Sequence, residues 1–141
     1  MSQFPRAFDI TLSIRVDGAP STPLRINSGS WNRGMTTEEV PLVGEDVPDV
    51  DGINGLKVLT LDSNAGRWIF DLFDAQERKN SGEAPDTVID AEFSIDLGGG
   101  DVATYLMPDC VAHEPGTTFG GSTERVTESV SLTSKRAIRR S

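Results

Sequence analysis

Most of what catalysis draws on is scarce in this chain. Its 141 residues hold one histidine, His113, and one cysteine, Cys110. A single Cys excludes an internal disulfide framework, and with one His beside it a transition-metal site is short of ligands. A Cys–His nucleophile needs the two side by side, yet residues three apart on a strand point to opposite faces. No Gly-x-Ser-x-Gly segment occurs, so a serine triad through His113 has no nucleophile elbow. Gly98-Gly99-Gly100 is followed by neither Gly-Lys-Ser/Thr nor a helical pattern and reads as a turn, not a phosphate loop. Asp49, Asp51 and Gly52 fit the third, fifth and sixth places of a calcium loop, but its first and twelfth would be Val47 and Val58, which cannot ligate. No apolar run reaches the roughly 18 residues of a membrane span. Met1 to Arg6 lacks the apolar stretch of a secretory signal, so the expectation is folding in a cytoplasm. No cofactor is expected, and no enzymatic activity.

Charge is lopsided. The net is −9, from 13 Lys and Arg against 22 Asp and Glu. Lys135, Arg136, Arg139 and Arg140 crowd the last seven positions, which leaves the remainder with 9 bases against 22 acids, a net of −13. Such a body is unsuited to grasping nucleic acid, since binding requires cations against phosphates. It suits a surface that nucleic acid passes without sticking.

What is present is β pattern with one helix, in a length typical of a single domain. Phe8, Ile10, Leu12, Ile14 and Val16 alternate with polar residues, a half-buried strand ended by Asp17-Gly18-Ala19-Pro20. Leu24 and Ile26 begin a short second strand that stops near Asn27-Ser28-Gly29. Met35 to Val43 reads as a third, which Pro41 demotes to an edge or a loop arm. Leu56 to Leu61 is a strand. Ala65, Trp68, Ile69, Leu72, Phe73 and Gln76 then make one helical stripe, with Ser63 or Asn64 as cap, Arg78 and Lys79 at the negative end, and Asn80-Ser81-Gly82 as the stop. Phe70 lies off the stripe, either a solitary exposed residue or a contact to a neighbouring subunit. Ile89 to Leu97 alternates, with Asp90, Glu92, Ser94 and Asp96 on its other face. Val102 to Met107 is apolar on both faces except Thr104, which suggests a covered strand. Asp109 to Glu114 is a short strand, Pro115 to Ser122 a Gly-rich loop, and Val126 to Leu132 a last strand whose apolar face Glu128 breaks. The acidic face of Ile89–Leu97 has the carboxylates of a glycosidase pair, but without an aromatic sugar platform nearby it reads as surface.

Three features stay open. Glu38 to Asp51 carries six acids and no base, interspersed with Val40, Leu42, Val43, Val47 and Val50 and followed by Ile53. It is either an extended arm, spanning about residues 38–55, whose apolar residues need a partner surface, or a loop over its own core. Cys110 is either a small buried hydrophobe or an intersubunit thiol. The basic segment 135–141, set apart from a domain of 1–134, docks on an acidic neighbouring subunit, binds nucleic acid, or stays disordered.

Leu56-Lys57-Val58-Leu59-Thr60-Leu61, followed by a helix from Asn64 through Phe73, resembles the middle of a bacteriophage tail tube protein. So do the opening strand, the Glu38–Val43 stretch before a long loop, Phe93-Ser94-Ile95, Tyr105-Leu106-Met107-Pro108-Asp109-Cys110-Val111 and the closing strand Val126–Leu132. The order and spacing match over nearly the whole chain, without a diagnostic motif. Val47–Asp51 and the basic tail depart from the pattern. The resemblance implies a mostly β fold of two packed antiparallel sheets, a sandwich or barrel with one flanking helix. It implies hexameric rings stacked into a hollow virion tube that conducts DNA without specific binding, assembled in a bacterial cytoplasm and not inserted in a membrane. Sheath, tape-measure and baseplate proteins would be its partners. The arm residues Val40, Leu42, Val43, Val47, Val50 and Ile53 would touch the next ring, and Asp90, Glu92 and Asp96 are candidates to line the channel. The alternatives are a baseplate or capsid decoration protein, or the tube of a bacterial injection or secretion system.

Overall fold

The computed structural model describes residues 10–19, 26, 28–41, 43, 44, 47, 49–64, 66–121 and 125–140. Among these residues ten strands and one helix follow in the order β1 (Ile10–Val16), β2 (Ser28–Asn32), β3 (Met35–Val40), β4 (Asp49–Asn54), β5 (Lys57–Asn64), α1 (Arg67–Asn80), β6 (Ile89–Gly98), β7 (Asp101–Met107), β8 (Val111–Thr118), β9 (Thr127–Ser134) and β10 (Ile138–Arg139). One antiparallel sheet has the order β1-β6-β7-β10, a second β2-β5-β9-β8, and β3 pairs with β4 alone. The architecture is a sandwich with one helix, without barrel closure.

Alternation builds the core. Leu12, Phe93 and Tyr105 stand opposite one another across β1, β6 and β7, and Ile14, Ala91 and Met107 do the same one step on. From the second sheet Leu59, Leu132 and Ala112 make one row and Leu61 with Val130 the next. Nearly all of these are buried, with Leu12, Met107 and Leu132 wholly so. Trp31 of β2 bridges the sheets, its ring 4.7 Å from Phe93 in an edge-to-face contact and 4.9 Å from Tyr105, a geometry that adds to plain area burial.

The helix buries Ile69, Leu72 and Gln76 of the expected stripe and Ala75 beside them, while Trp68 and Phe73 of that stripe are half-buried. Gln76 Oε1 accepts the Ala112 N–H at 2.9 Å, while its amide nitrogen donates to Asn80 Oδ1 at 2.8 Å. A side chain thus serves the outward edge of β8, which would otherwise bury a donor without a partner. Arg78 and Lys79 occupy the last turn, where cations favour the negative end of the helix. Ser63 and Asn64 do not cap it. Both still belong to the β5 ladder, opposite Glu128 and Thr127, and Gly66 takes the cap position with no side-chain bond.

Three other segments differ from the sequence reading. Ser28 and Gly29, read as the stop of a strand, instead open strand β2, Ser28–Asn32. Gly29 is there for closeness: a Cβ would lie 2.6 Å from the Thr60 carbonyl oxygen. Pro115 and Gly116, read as loop, lie inside β8, where the register shifts between His113 and Gly116 and Glu114 has φ 54°. A bulge on an edge strand is a place that tolerates proline. β7 is less covered than its composition suggests, with Val102 exposed and Thr104, Tyr105 and Leu106 half-buried. Leu24, Phe8 and Ala65 lie outside the described residues.

Glu128 is buried opposite Ser63 and Thr117. Its Oε2 accepts the Thr117 hydroxyl at 2.7 Å, and Oε1 has no partner among the described residues.

Candidate assembly interface

The β3–β4 hairpin grows from a rigid root. Arg33, just before it, stacks its guanidinium 4.5 Å from the Trp31 ring centre and 4.8 Å from that of Tyr105, a cation–π arrangement on two core aromatics. Asn32 Oδ1 accepts the Gly34 N–H at 2.8 Å, and the Gly55 N–H donates to the Gly34 carbonyl at 2.7 Å. Gly34 has φ +68°, and a Cβ on it would collide with the Leu56 carbonyl. Lys57 Nζ adds a bond to the Gly55 carbonyl at 2.8 Å. The two chains entering and leaving the hairpin are therefore clamped together where they leave the sandwich.

Beyond the root the hairpin buries almost nothing. Every residue of β3 and β4 is exposed except Val40, which is half-buried. Met35 is 65% exposed, Val47 74%, Val50 58% and Ile53 38%, and Val43 is fully exposed. Leu42 lies outside the described residues. Glu38 stands directly opposite Asp51, and Asp49 opposite Val40. Like charges facing across a ladder destabilise it. Among the described residues no ion pair reaches Glu38, Glu39, Asp49 or Asp51. An element that is apolar, acidic and uncovered has not found its contacts within its own chain.

The basic segment is partly a strand. Ile138 and Arg139 pair with Leu106 and Tyr105, and the Arg140 N–H donates to the Thr104 carbonyl at 2.8 Å. Lys135 and Arg136 lie in the bend before it, both exposed. They line an open groove of about 420 Å³ together with Leu56, Lys79, Pro108 and Val111. The Ser134 hydroxyl braces this corner, donating to the Pro108 carbonyl at 2.5 Å and lying 3.0 Å from the Arg136 carbonyl oxygen. Lys79 Nζ is 3.4 Å from Asp109 Oδ1, the one acid among the described residues of the groove.

Two sheet faces look outward. On the first sheet Ser13, Glu92, Leu106 and Ile138 form one row, flanked by Thr11, Ser94 and Thr104 and by Arg15 opposite Asp90. Asp90, Glu92 and Asp96 thus share this face, but two of them also hold loops. Asp90 Oδ1 accepts the Asp109 N–H and Asp96 Oδ1 the Gly98 N–H, each at 2.9 Å. On the second sheet Ser30, Thr60, Ser131 and His113 form a row, next to Ser28, Asp62 and Ser129. No Lys or Arg stands in those rows.

Cys110 is wholly buried, and its thiol donates to the Met107 carbonyl at 3.1 Å. Desolvation raises its pKa to about 12, against a smaller opposing effect of a backbone hydrogen bond to Ala91. An intersubunit bond through it would require the β7–β8 corner to open. His113 is engaged elsewhere, its Nε2 2.6 Å from the Thr133 hydroxyl, so the two do not meet. Among the described residues no group of His, Cys, Asp and Glu is arranged to hold a metal ion, and no helix is long and apolar enough to cross a membrane. Phe70 is 45% exposed with its ring 6.5 Å from that of Phe73.

Sequence reasoning missed Met35, Leu56 and Phe119 as exposed apolar residues. It also missed the Arg33 clamp, for which Trp31-Asn32-Arg33-Gly34 was the available signal.

No family model matches the chain, and no curated protein sequence does. Solved structures do. A chain of the sheath–tube complex of the extracellular contractile injection system PVC aligns with 97% of this chain and 91% of its own length, at 15% identity and TM-score 0.58. An Hcp protein aligns with 93% of this chain and 91% of its own, at 12% identity and TM-score 0.58. The SPP1 tail tube aligns with 96% of this chain and 78% of its own, at 12% identity and TM-score 0.56. Two of these three neighbours come from tube assemblies by name, a sheath–tube complex and a tail tube. Identities this low speak to the backbone alone, and along nearly its whole length the chain has the fold of tail tube proteins.

Proposed function

We propose that the chain is the subunit of a tube, forming hexameric rings that stack end to end around a channel. The observation that carries this reading is the β3–β4 hairpin, clamped at its root and uncovered beyond it. Free margins of the sheets support it further, since among the described residues β1 and β2 each have a strand on one side only and ring closure removes such edges. Val40, Val43, Val47, Val50 and Ile53 are the residues that another subunit covers, each Val or Ile worth about 1.5–3 kcal/mol when fully buried. Repeated around a ring, such contacts make a stiff polymer.

The tube belongs to a virion tail and passes DNA to the host, with sheath, tape-measure and baseplate proteins as its neighbours. Its lining is an outward sheet face. The face of Asp90, Glu92 and Asp96 repels phosphate but also carries Arg15. The hydroxyl-rich face of the second sheet is favoured by the lack of Lys and Arg in its central rows, which leaves nothing to hold a phosphate. A second functional reading places the same tube in a protein-exporting injection machine. The near end-to-end alignment with a chain of the PVC sheath–tube complex favours it. Electron microscopy of negatively stained, purified protein tests the shared core of both readings. Hollow filaments are expected, and only isolated globules would refute it.

A further inference from the structure

From the charge and placement of two surface features we infer that the basic groove receives the acidic β3–β4 hairpin of an adjacent copy, side by side within one ring. The inference rests on the tube reading and names the contact that closes the ring.

The two surfaces are complementary in kind. The groove offers Lys79, Lys135 and Arg136 over an apolar lining that includes Leu56, Pro108 and Val111, with Asp109 as its one acid among the described residues. The hairpin offers Glu38, Asp49 and Asp51 on one of its faces, interleaved with Val40 and Ile53. Directly opposed Glu38 and Asp51 repel each other in an isolated subunit, and cations from a neighbour turn that repulsion into attraction. Valine and isoleucine side chains meet the apolar lining while carboxylates reach the rim.

A chain cannot easily satisfy itself. The groove begins at Leu56, two residues after β4 ends, and the Gly34–Gly55 clamp fixes the hairpin's departure at that point. None of the described residues between 35 and 54 lines the groove. The hairpin root and the groove also lie at the same end of the sandwich, since Lys57 at the start of β5 is opposite Ser134 at the end of β9. A projecting element and its receptor at one level relate copies laterally. Such a head-to-tail contact closes into a ring when the rotation between copies permits. This departs from the expectation that the hairpin reaches the next ring.

Two charge-inverted proteins test the idea. One carries Lys135→Glu with Arg136→Glu, the other Glu38→Lys with Asp51→Lys. Circular dichroism melting first establishes that both fold. Each alone should lose the assemblies that wild type forms in a pelleting assay and in micrographs. Mixed in equal amounts they should regain them, because acidic hairpins then meet basic grooves and basic hairpins meet acidic grooves in alternation. A mixture that stays unassembled, or single variants that assemble as wild type does, overturns the inference while leaving the tube reading intact. Wild type that itself never assembles removes both.

Discussion

The sandwich and the hairpin are built from similar residues to opposite ends. Val130 and Leu132 disappear into the core, whereas Val43, Val47 and Val50, in the first half of the same chain, face outward among carboxylates. The first region has internal partners for each apolar row. The second has a root that is held firmly and a body that touches little. A globular protein selected only for its own stability gains nothing from such an arm, so the contrast points to stability completed by other copies.

The contrast can be broken most severely from the core side. Leu132→Ala should destabilise the fold by about 2–5 kcal/mol, because the site is wholly enclosed and a cavity remains. Chemical denaturation should record this directly, with tube formation lost as a consequence. Val47→Asp with Val50→Asp should do the reverse. The free energy of unfolding should stay within about 0.5 kcal/mol of wild type, as at other surface positions, while polymerisation is abolished. Normal tubes from that double variant would remove Val47 and Val50 from the interface. Gly34→Val lies between the regions. Its side chain collides with the Leu56 carbonyl, so the hairpin root should open, read as faster amide exchange at residues 34 and 55 with β6 and β9 still protected.

Two smaller effects sharpen the core side. Gln76→Ala leaves the Ala112 N–H without its acceptor in a buried place and should cost about 1–3 kcal/mol. Cys110 should resist thiol reagents in the native state. Its folded pKa, about 12, lies above the ordinary 9.0, so the folded state holds the proton more tightly than the unfolded one. Stability is therefore unaffected below about pH 9 and falls as pH rises towards 12. Cys110→Ala should flatten that alkaline decline.

Much of this was readable in advance, and the failures have physical causes. Ile89, Ala91, Phe93 and Ile95 announce β6 because a two-residue period has no other simple meaning, and Trp68, Ile69, Leu72 and Gln76 announce the helix in the same way. Ser28-Gly29 disguises β2, since residues typical of turns are used there to bring two backbones close. Pro115-Gly116 disguises the far half of β8, where a bulge absorbs them. The helix cap lies elsewhere than expected because β5 runs three residues past the last alternating leucine, Leu61. At the interface the hairpin's valines were conspicuous against their acids. The groove was not, because it is assembled from the start of β5, the end of α1, the β7–β8 corner and the end of β9. No local pattern marks residues that only tertiary packing brings together.

The central claim is that identical copies complete one another. Sedimentation velocity of the purified protein over a wide concentration range tests it most directly. Fast-sedimenting polymers whose share grows with concentration are predicted, and a single monomer boundary at every concentration would contradict it.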